Sequence, residues 1–262
     1  MPFANQELFQ PTGFYYGMNP MSHNLVIVDR KKMKTPSGFI LGTSGSGKSF
    51  AVKREMLNVL LRDSQANVLV IDPENEYGGF CRIMGGTVLK ISSDSDCYIN
   101  PMDMLEDYGL TEDDDSSTTP MEIKKEKAIR KKTEYIMSIV ERMISVNGSA
   151  DSSTITPQQR TLIDKCVQET YKEYLKHDFD PSYMPTLLDL QEVLNSKKSE
   201  SEDAEKVAEG IEYYTTGSMN VFSHHTNINI NNRFVVFNVR DLGEQLKQVA
   251  LIIVFDLSLI HI

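Results

Sequence analysis

The feature that most constrains this chain is a glycine-rich octapeptide, Gly42–Ser49 (GTSGSGKS), which fits the pattern G-x-x-x-x-G-K-S. An apolar segment (38–42) precedes it, and a segment with apolar side chains at helical spacing (48–62) follows it. The order predicts a buried strand, a tight loop and a helix. Glycines at 42, 45 and 47 permit positive φ and close approach of an anion. The N–H groups at the helix start then form a phosphate site.

The phosphate-loop pattern predicts a role for individual residues. Lys48 is expected to contact the β- and γ-phosphates and to neutralise charge during catalysis, and the Ser49 hydroxyl to bind Mg²⁺. The predicted cofactor-binding residues are Gly42, Thr43, Ser44, Gly45, Ser46, Gly47, Lys48, Ser49 and Phe50. The alternative is a glycine-rich turn with a surface lysine, which the flanking strand and helix patterns disfavour.

A second candidate site follows the apolar run 67–71 with the sequence DPENEY. Phosphate loops lie at the carboxyl edge of parallel sheets, and this segment is expected at that edge. Asp72 is a candidate metal ligand, while Glu74 and Glu76 are candidate catalytic residues that face the γ-phosphate or orient water. The alternative stays open: Asp72 caps a helix and Glu76 is solvated. The strand follows the phosphate-loop helix directly, which argues against a Walker B assignment.

The remaining pattern indicates an α/β fold with a mostly parallel sheet, interrupted by a helical block. Strands are predicted at 24–30, 38–42, 67–71, 87–91 and 233–239, and helices at 48–62, 122–144, 156–175, 186–195 and 241–257. Thr156 and Pro157 give one helix an N-cap and a first residue. Residues 103–119, 145–155 and 196–206 are predicted as polar or acidic exposed stretches. The predicted parts are a core (1–102), a helical insertion (103–210) and a return to the core (211–262).

For three other sets of residues, the sequence favours a structural role over a functional one. The basic cluster on the helix 122–144 could follow nucleic-acid phosphates, but acidic residues on the same helix favour a solvated face; its members are Lys124, Lys125, Lys127, Arg130, Lys131 and Lys132. His224 and His225 lack further ligands at metal-binding spacing and favour a turn. Arg233 and Arg240 flank a core strand, where structural ion pairs are favoured over a subunit-bridging arginine finger.

Composition excludes some classes of protein. With 27 Lys+Arg and 37 Asp+Glu, the net charge is −10, so the chain as a whole is no passive binder of polyanions. Cys81, Cys97 and Cys166 are scattered, which favours a reducing compartment. The longest apolar run, Val249–Phe255, has 7 residues. A membrane helix needs about 20, so no transmembrane segment is predicted.

Five segments together resemble one family. They are residues 15–30, 36–50, 68–77, 99–103 (INPMD) and 217–243. In this order they resemble the ATPases of conjugal transfer and type IV secretion, the VirB/TraE/TraC class with a TraG-like P-loop domain, particularly those of Gram-positive conjugative elements. The HerA/FtsK-type pumping ATPases are relatives of this class.

The resemblance implies a RecA-like motor domain that binds ATP and Mg²⁺. Such a domain assembles as an oligomer, a hexamer at some stage, and hydrolyses ATP between subunits. It lies in the cytoplasm, peripheral to the inner face of the membrane, against membrane-embedded channel proteins. There it drives channel or pilus assembly and substrate transfer. Lys48 and Ser49 match the family's phosphate loop, and Asp72, Glu74 and Glu76 match its second motif.

The chain departs from the family pattern in one respect. The family's Asp-Glu Walker B strand, sensor Gln and arginine finger are expected beyond residue 262, so the sequence is expected to be a C-terminally truncated fragment of the motor with poor hydrolysis. Two alternatives remain open. One is a HerA/FtsK-type DNA pump, for which DNA contact is left open, and the other is a non-hydrolytic nucleotide-binding scaffold.

Overall fold

The computed structural model describes residues 9–92, 94–111, 114, 116–147, 155–199, 201–228 and 231–261. The chain divides into two compact units, Met1–Val68 and Leu69–Ile262. The predicted polar link at 145–155 falls mostly outside the described residues, and so do parts of the stretch 103–119. The three-part division into 1–102, 103–210 and 211–262 stays a prediction.

The first unit contains a β-hairpin and a helix. Strand β1 (Phe14–Met18) pairs antiparallel with β2 (Leu25–Val28), and the register shifts between Tyr15 and Gly17. Helix α1 (Lys48–Arg62) confirms the helix predicted at 48–62. Strand β2 confirms the strand predicted at 24–30, whereas β1 was not predicted.

The hairpin is held on α1 mainly by polar and cation–π contacts. The Tyr16 hydroxyl donates a hydrogen bond of 2.8 Å to Glu55, which also pairs with Arg30 at 3.2 Å. Arg62 donates to the carbonyl of Gly13 at 2.7 Å, and its guanidinium lies 4.9 Å from the ring centroid of Phe14. Because α1 has no fully buried residue, these contacts carry much of the attachment.

The prediction of a strand at 38–42 is wrong. These residues form no strand, and Phe39 and Leu41 are 91% and 89% exposed. An apolar run becomes a buried strand only where neighbouring strands pair with it on its edges. Within the described residues no strand pairs with this segment, so its backbone stays irregular and its side chains face solvent.

The second unit is built on a three-stranded sheet with the order β3-β5-β4. Its strands are β3 (Val68–Asp72), β4 (Thr87–Lys90) and β5 (Phe234–Asn238). Strands β4 and β5 are parallel, with Thr87 opposite Val235 and Lys90 opposite Asn238. The central strand β5 is buried from Phe234 to Phe237, as a strand covered on both faces must be. The strands predicted at 67–71, 87–91 and 233–239 are confirmed.

Helices surround this sheet and form most of the second unit. They are α2 (Gly78–Ile83), α3 (Met121–Asn147), α4 (Pro157–Thr170), α5 (Lys172–Lys176), α6 (Leu187–Ser196), α7 (Glu202–Thr215) and α8 (Glu244–His261). Helices α3 to α7 come between β4 and β5 in the chain, so the parallel sheet is interrupted by a helical block as predicted. No helix among the described residues is both long and apolar enough to cross a membrane.

Local sequence explains where two of these helices begin. Thr156 forms a capping box with Gln159, with hydrogen bonds of 3.0 and 3.2 Å, and confirms the predicted N-cap. The exposed stretch predicted at 196–206 is partly wrong, because α7 begins at Glu202 and buries Ala204. Its acidic residues face solvent, while an apolar stripe at helical spacing continues from Ala204 to Ile211 and packs in the core.

Candidate functional site

The phosphate loop (Gly42–Ser49) has the backbone that its glycines predict. Gly45 and Gly47 adopt φ values of 77° and 87°, and Gly47 is the left-handed N-cap of α1 without a side-chain capping bond. A Cβ at either glycine would meet no atom within 4 Å, so the positive φ rather than crowding requires glycine there. Because Gly47 has no side chain, the N-cap residue itself offers no capping oxygen to the N–H groups at the start of α1.

Close contacts inside the loop fix Lys48. Its Nζ donates hydrogen bonds to the carbonyl oxygens of Gly42 (2.8 Å) and Thr43 (3.0 Å). Gly42 permits this compact arrangement, because a Cβ there would lie 2.4 Å from Ser46 Oγ. The ammonium group is thus held against the loop by carbonyl oxygens, which are weaker partners for it than phosphate oxygens would be.

The loop fits a magnesium-bound nucleotide. Residues 42–47 are exposed, Lys48 and Ser49 are half-buried, and Phe50 is 75% exposed. The first turn of α1 carries no acidic residue that would repel phosphate. Lys48 and the N–H groups would hold the phosphates, and the Ser49 hydroxyl would hold the cation.

The acidic loop (Asp72–Tyr77) follows β3. Asp72 is fully buried, and its two carboxylate oxygens accept backbone hydrogen bonds from Glu76 (3.1 Å) and Tyr77 (2.8 Å). This geometry fits the capping role that the sequence left open for Asp72. No cluster of three or more His, Cys, Asp or Glu that could hold a metal exists among the described residues. The metal-ligand role of Asp72 stays a prediction.

Glu74 and Glu76 are exposed on this loop and flank Asn75, whose φ is 59°. Asn75 Oδ1 accepts a hydrogen bond of 3.0 Å from Asn238 Nδ2 at the end of β5. Neither asparagine was predicted as a site residue from the sequence. The tolerance of Asn for left-handed backbone is the signal that could have indicated Asn75.

The basic cluster of α3 is largely neutralised by acidic residues. Ion pairs join Lys124 to Glu106 and Asp107, Lys125 to Asp178, Lys127 to Asp114, and Lys132 to Asp256. Four of the six basic side chains therefore have carboxylate partners. This supports the structural interpretation of the cluster over a nucleic-acid interface.

The segment that contains His224 and His225 closes against the INPMD segment. The His224 ring lies 4.4 Å from that of Tyr98, and Asn100 N donates to Thr226 Oγ1 at 2.8 Å. Tyr98 N likewise donates to Asn227 Oδ1 at 2.8 Å. The arrangement fits the predicted turn rather than a metal site. Arg233 and Arg240 flank β5, and their roles stay predictions.

Two comparisons with known protein sequences find similarity to this chain. A family model described as the central domain of the helicase HerA matches residues 14–257. An uncharacterised protein of Aquifex aeolicus is 40% identical over 52 residues, which make up 20% of this chain and 19% of that protein.

A solved structure shares the fold. VirB4 of Thermoanaerobacter pseudethanolicus superposes with a TM-score of 0.70 at 21% identity, over 97% of this chain and 65% of that one. The chain thus spans less than two thirds of both proteins. The family match and the shared fold confirm the resemblance to the type IV secretion ATPases and their HerA-type relatives, and the α/β fold expected of a P-loop nucleotide-binding core.

Proposed function

The chain belongs to the family of the HerA helicase central domain, and from this premise we propose that it is the ATP-binding motor component of a conjugative type IV secretion apparatus. The observation that carries the proposal is the phosphate loop: two glycines at positive φ, one of them the N-cap of α1, and a lysine held across the loop. The fold shared with VirB4 supports the choice of a secretion motor.

The proposed chemistry is hydrolysis of Mg·ATP. The loop N–H groups and Lys48 bind the phosphates, and Lys48 neutralises the charge that develops on the transferred phosphoryl group. Ser49 binds Mg²⁺, with Asp72 as a second candidate ligand. Glu74 and Glu76 orient the attacking water.

The proposed assembly follows the same relatives. Hydrolysis takes place between subunits of a homo-oligomer, a hexamer at some stage, in the cytoplasm at the inner face of the membrane. Membrane-embedded channel proteins are the partners. The motor then drives channel or pilus assembly and substrate transfer.

A DNA-pumping ATPase is the second candidate, and the family match to a helicase favours it. The paired lysines of α3 count against a DNA interface on that helix. Stimulation of ATP turnover by double-stranded DNA would favour the pump. ATP binding without any turnover, with or without DNA, would favour a non-hydrolytic scaffold.

The test of the proposal is the Lys48→Ala substitution, with ATP affinity measured by calorimetry in the presence of Mg²⁺. Loss of a charge-assisted hydrogen bond costs about 1.5–3 kcal/mol, so we expect affinity to fall by about tenfold or more. Lys34→Ala is the matched control, since it removes the same charge from an exposed position upstream of the loop. Equal affinity in the Lys48 variant and the control would contradict the proposal.

A further inference from the structure

Phe50 is an exposed aromatic residue directly beside the phosphate loop. It is the third residue of α1 and follows Lys48 and Ser49. Its side chain is 75% exposed, whereas its neighbours in the chain, Ser49 and Ala51, are half-buried. A single exposed phenylalanine is ordinary on a protein surface, so the groups around it decide whether it belongs to a binding site.

The position of Phe50 on α1 places it next to the groups that bind phosphates in a phosphate loop. An α-helix rises about 1.5 Å per residue, so Phe50 lies about 3 Å further along the axis than Lys48. In such a loop the lysine contacts the β- and γ-phosphates, the serine binds Mg²⁺, and backbone N–H groups hold the α- and β-phosphates. The nucleoside is joined to the α-phosphate. Phe50 is therefore the first side chain of α1 that has none of these roles and lies within reach of the nucleoside.

A planar, positively charged side chain continues the same face of α1. Arg54 lies four residues after Phe50, and residues at this spacing are neighbours on a helix surface. Its Nη2 donates hydrogen bonds to the carbonyl oxygens of Tyr15 (3.2 Å) and Tyr16 (3.3 Å). Its guanidinium also lies 5.9 Å from the ring centroid of Tyr15, which is exposed as well. Strand β1 therefore holds Arg54 on the face of α1 that carries Phe50.

The chemistry of this face suits a nucleotide. Nucleobases stack on aromatic rings and on arginine guanidinium planes, because each of these groups presents a flat π-face. The positive charges of Lys48 and Arg54 favour a phosphorylated ligand, and the first turn of α1 carries no acidic residue that would repel it. An uncharged apolar ligand would gain nothing from the two cations, so the combination favours a base that carries phosphates.

We propose that Phe50 is the base-stacking residue of the nucleotide site and that it makes the site selective for nucleotides over inorganic polyphosphate. The proposal rests on the proposed function, in which the phosphate loop holds Mg·ATP. The loop itself contacts only phosphates and the cation, so it does not distinguish a nucleotide from a phosphate chain of the same length. The ring of Phe50 adds a contact that only a ligand with a base can make.

The first experiment uses fluorescence in the full chain, which contains no tryptophan of its own. Phe50→Trp introduces one indole at the proposed stacking position, and Leu61→Trp introduces one near the other end of the same helix. Leu61 is the matched control, because it is 72% exposed and lies about 17 Å from Phe50 along the axis of α1. Mg·ATP should quench the emission of Phe50→Trp, since a stacked purine quenches indole emission, and Mg·tripolyphosphate should not. Neither ligand should quench the emission of Leu61→Trp.

The second experiment measures the affinity for Mg·ATP and for Mg·tripolyphosphate by titration calorimetry in Phe50→Ala and Leu61→Ala. Loss of stacking between a base and an aromatic ring should weaken the binding of Mg·ATP by Phe50→Ala about 5- to 150-fold. The affinity of this variant for Mg·tripolyphosphate should stay unchanged, which also shows that its phosphate loop is intact. Leu61→Ala should bind both ligands like the unsubstituted chain.

Two results for Phe50→Ala would overturn the inference. One is an unchanged affinity for Mg·ATP, and the other is an equal loss for both ligands, which would show that Phe50 shapes the loop instead of contacting the base. If the unsubstituted chain binds Mg·ATP no more tightly than Mg·tripolyphosphate, the phosphate site stands and only the inference about Phe50 fails. If the unsubstituted chain binds neither ligand, the proposed function fails and the inference fails with it.

Discussion

The ion pair between Lys132 on α3 and Asp256 on α8 is the polar contact whose disruption we expect to cost most stability. Its side chains are 0% and 7% exposed, and Nζ lies 2.8 Å from Asp256 Oδ2. Tyr108 donates a 2.6 Å hydrogen bond to the other carboxylate oxygen. The Lys132 ammonium also lies 4.9 and 4.4 Å from the ring centroids of Tyr108 and Tyr135.

Replacement of one partner leaves a charge buried without its counter-ion. For Asp256→Ala we expect a loss of about 3–5 kcal/mol in the free energy of unfolding. The double variant Lys132→Met/Asp256→Leu removes both charges and keeps much of the volume. The double variant should lose far less free energy of unfolding than the two single variants lose together. The coupling energy between the two positions should be about 2 kcal/mol or more.

The loss in Asp256→Ala should depend on pH. Burial lowers the pKa of Lys132 below its usual value, and removal of Asp256 removes a group that opposes this shift. The unfolded chain then binds a proton that the folded lysine sheds, so unfolding free energy rises with pH below the unfolded pKa. The variant should therefore be less destabilised at about pH 9 than at about pH 7.

Urea unfolding, monitored by far-UV circular dichroism, measures these losses in unfolding free energy. Tryptophan fluorescence is not an option, because the sequence contains no tryptophan. Glu202→Ala is the matched control, because Glu202 pairs with Lys206 at 2.7 Å on the surface of α7. It should cost less than about 1 kcal/mol. A similar small loss in Asp256→Ala, or strict additivity of the single losses, would refute the reasoning.

Two further predictions concern the first unit. Phe39→Ser should change the free energy of unfolding by less than about 0.5 kcal/mol, because the side chain is 91% exposed. A loss of about 3–5 kcal/mol in urea unfolding would instead support the buried strand that the sequence predicted. Burial and the neighbouring Glu55 raise the pKa of Tyr16 to about 12, so stability should fall as pH rises above the unfolded tyrosine value, about 10. This alkaline loss of the urea midpoint should be smaller in Tyr16→Phe, and an identical loss in both proteins would contradict the role of Tyr16.

The parts of the fold that local sequence specifies were predictable. Positive φ at Gly45 and Gly47 follows from the motif itself, and the N-cap at Thr156 follows from a threonine placed before a proline. Strands β3, β4 and β5 appear as short apolar runs, because a strand covered on both faces shows continuous rather than alternating hydrophobicity.

The strand predicted at 38–42 failed for a reason that no local pattern reveals. The five consecutive apolar or small residues of this segment (GFILG) have the composition of a buried strand, but burial depends on strands elsewhere in the chain. Strand β1 was missed for the opposite reason, since Tyr15, Tyr16 and Gly17 give no clean alternation and the strand exists through its pairing with β2.

The candidate site also has one part that the sequence predicts and one part that it does not. The phosphate loop is contiguous and was predicted with its residues in order. The acidic loop was recognised as a segment, but its conformation depends on Asn238, which lies 163 residues from Asn75. A contact between residues so far apart in the sequence produces no local pattern around either of them. A single sequence therefore does not reveal it.

The INPMD segment contacts Thr226, next to His224 and His225, and this contact determines how the chain tolerates changes in the length of its helical block. Asn100 and Thr226 are 126 residues apart in sequence and 2.8 Å apart in space, so the helical block leaves and rejoins the sheet at neighbouring points. The entropic cost of closing a flexible loop rises by only about 0.6 kcal/mol for each doubling of its length. Segments could therefore be inserted between these anchor points at little entropic cost, while the sheet and the loops at its edge keep their geometry.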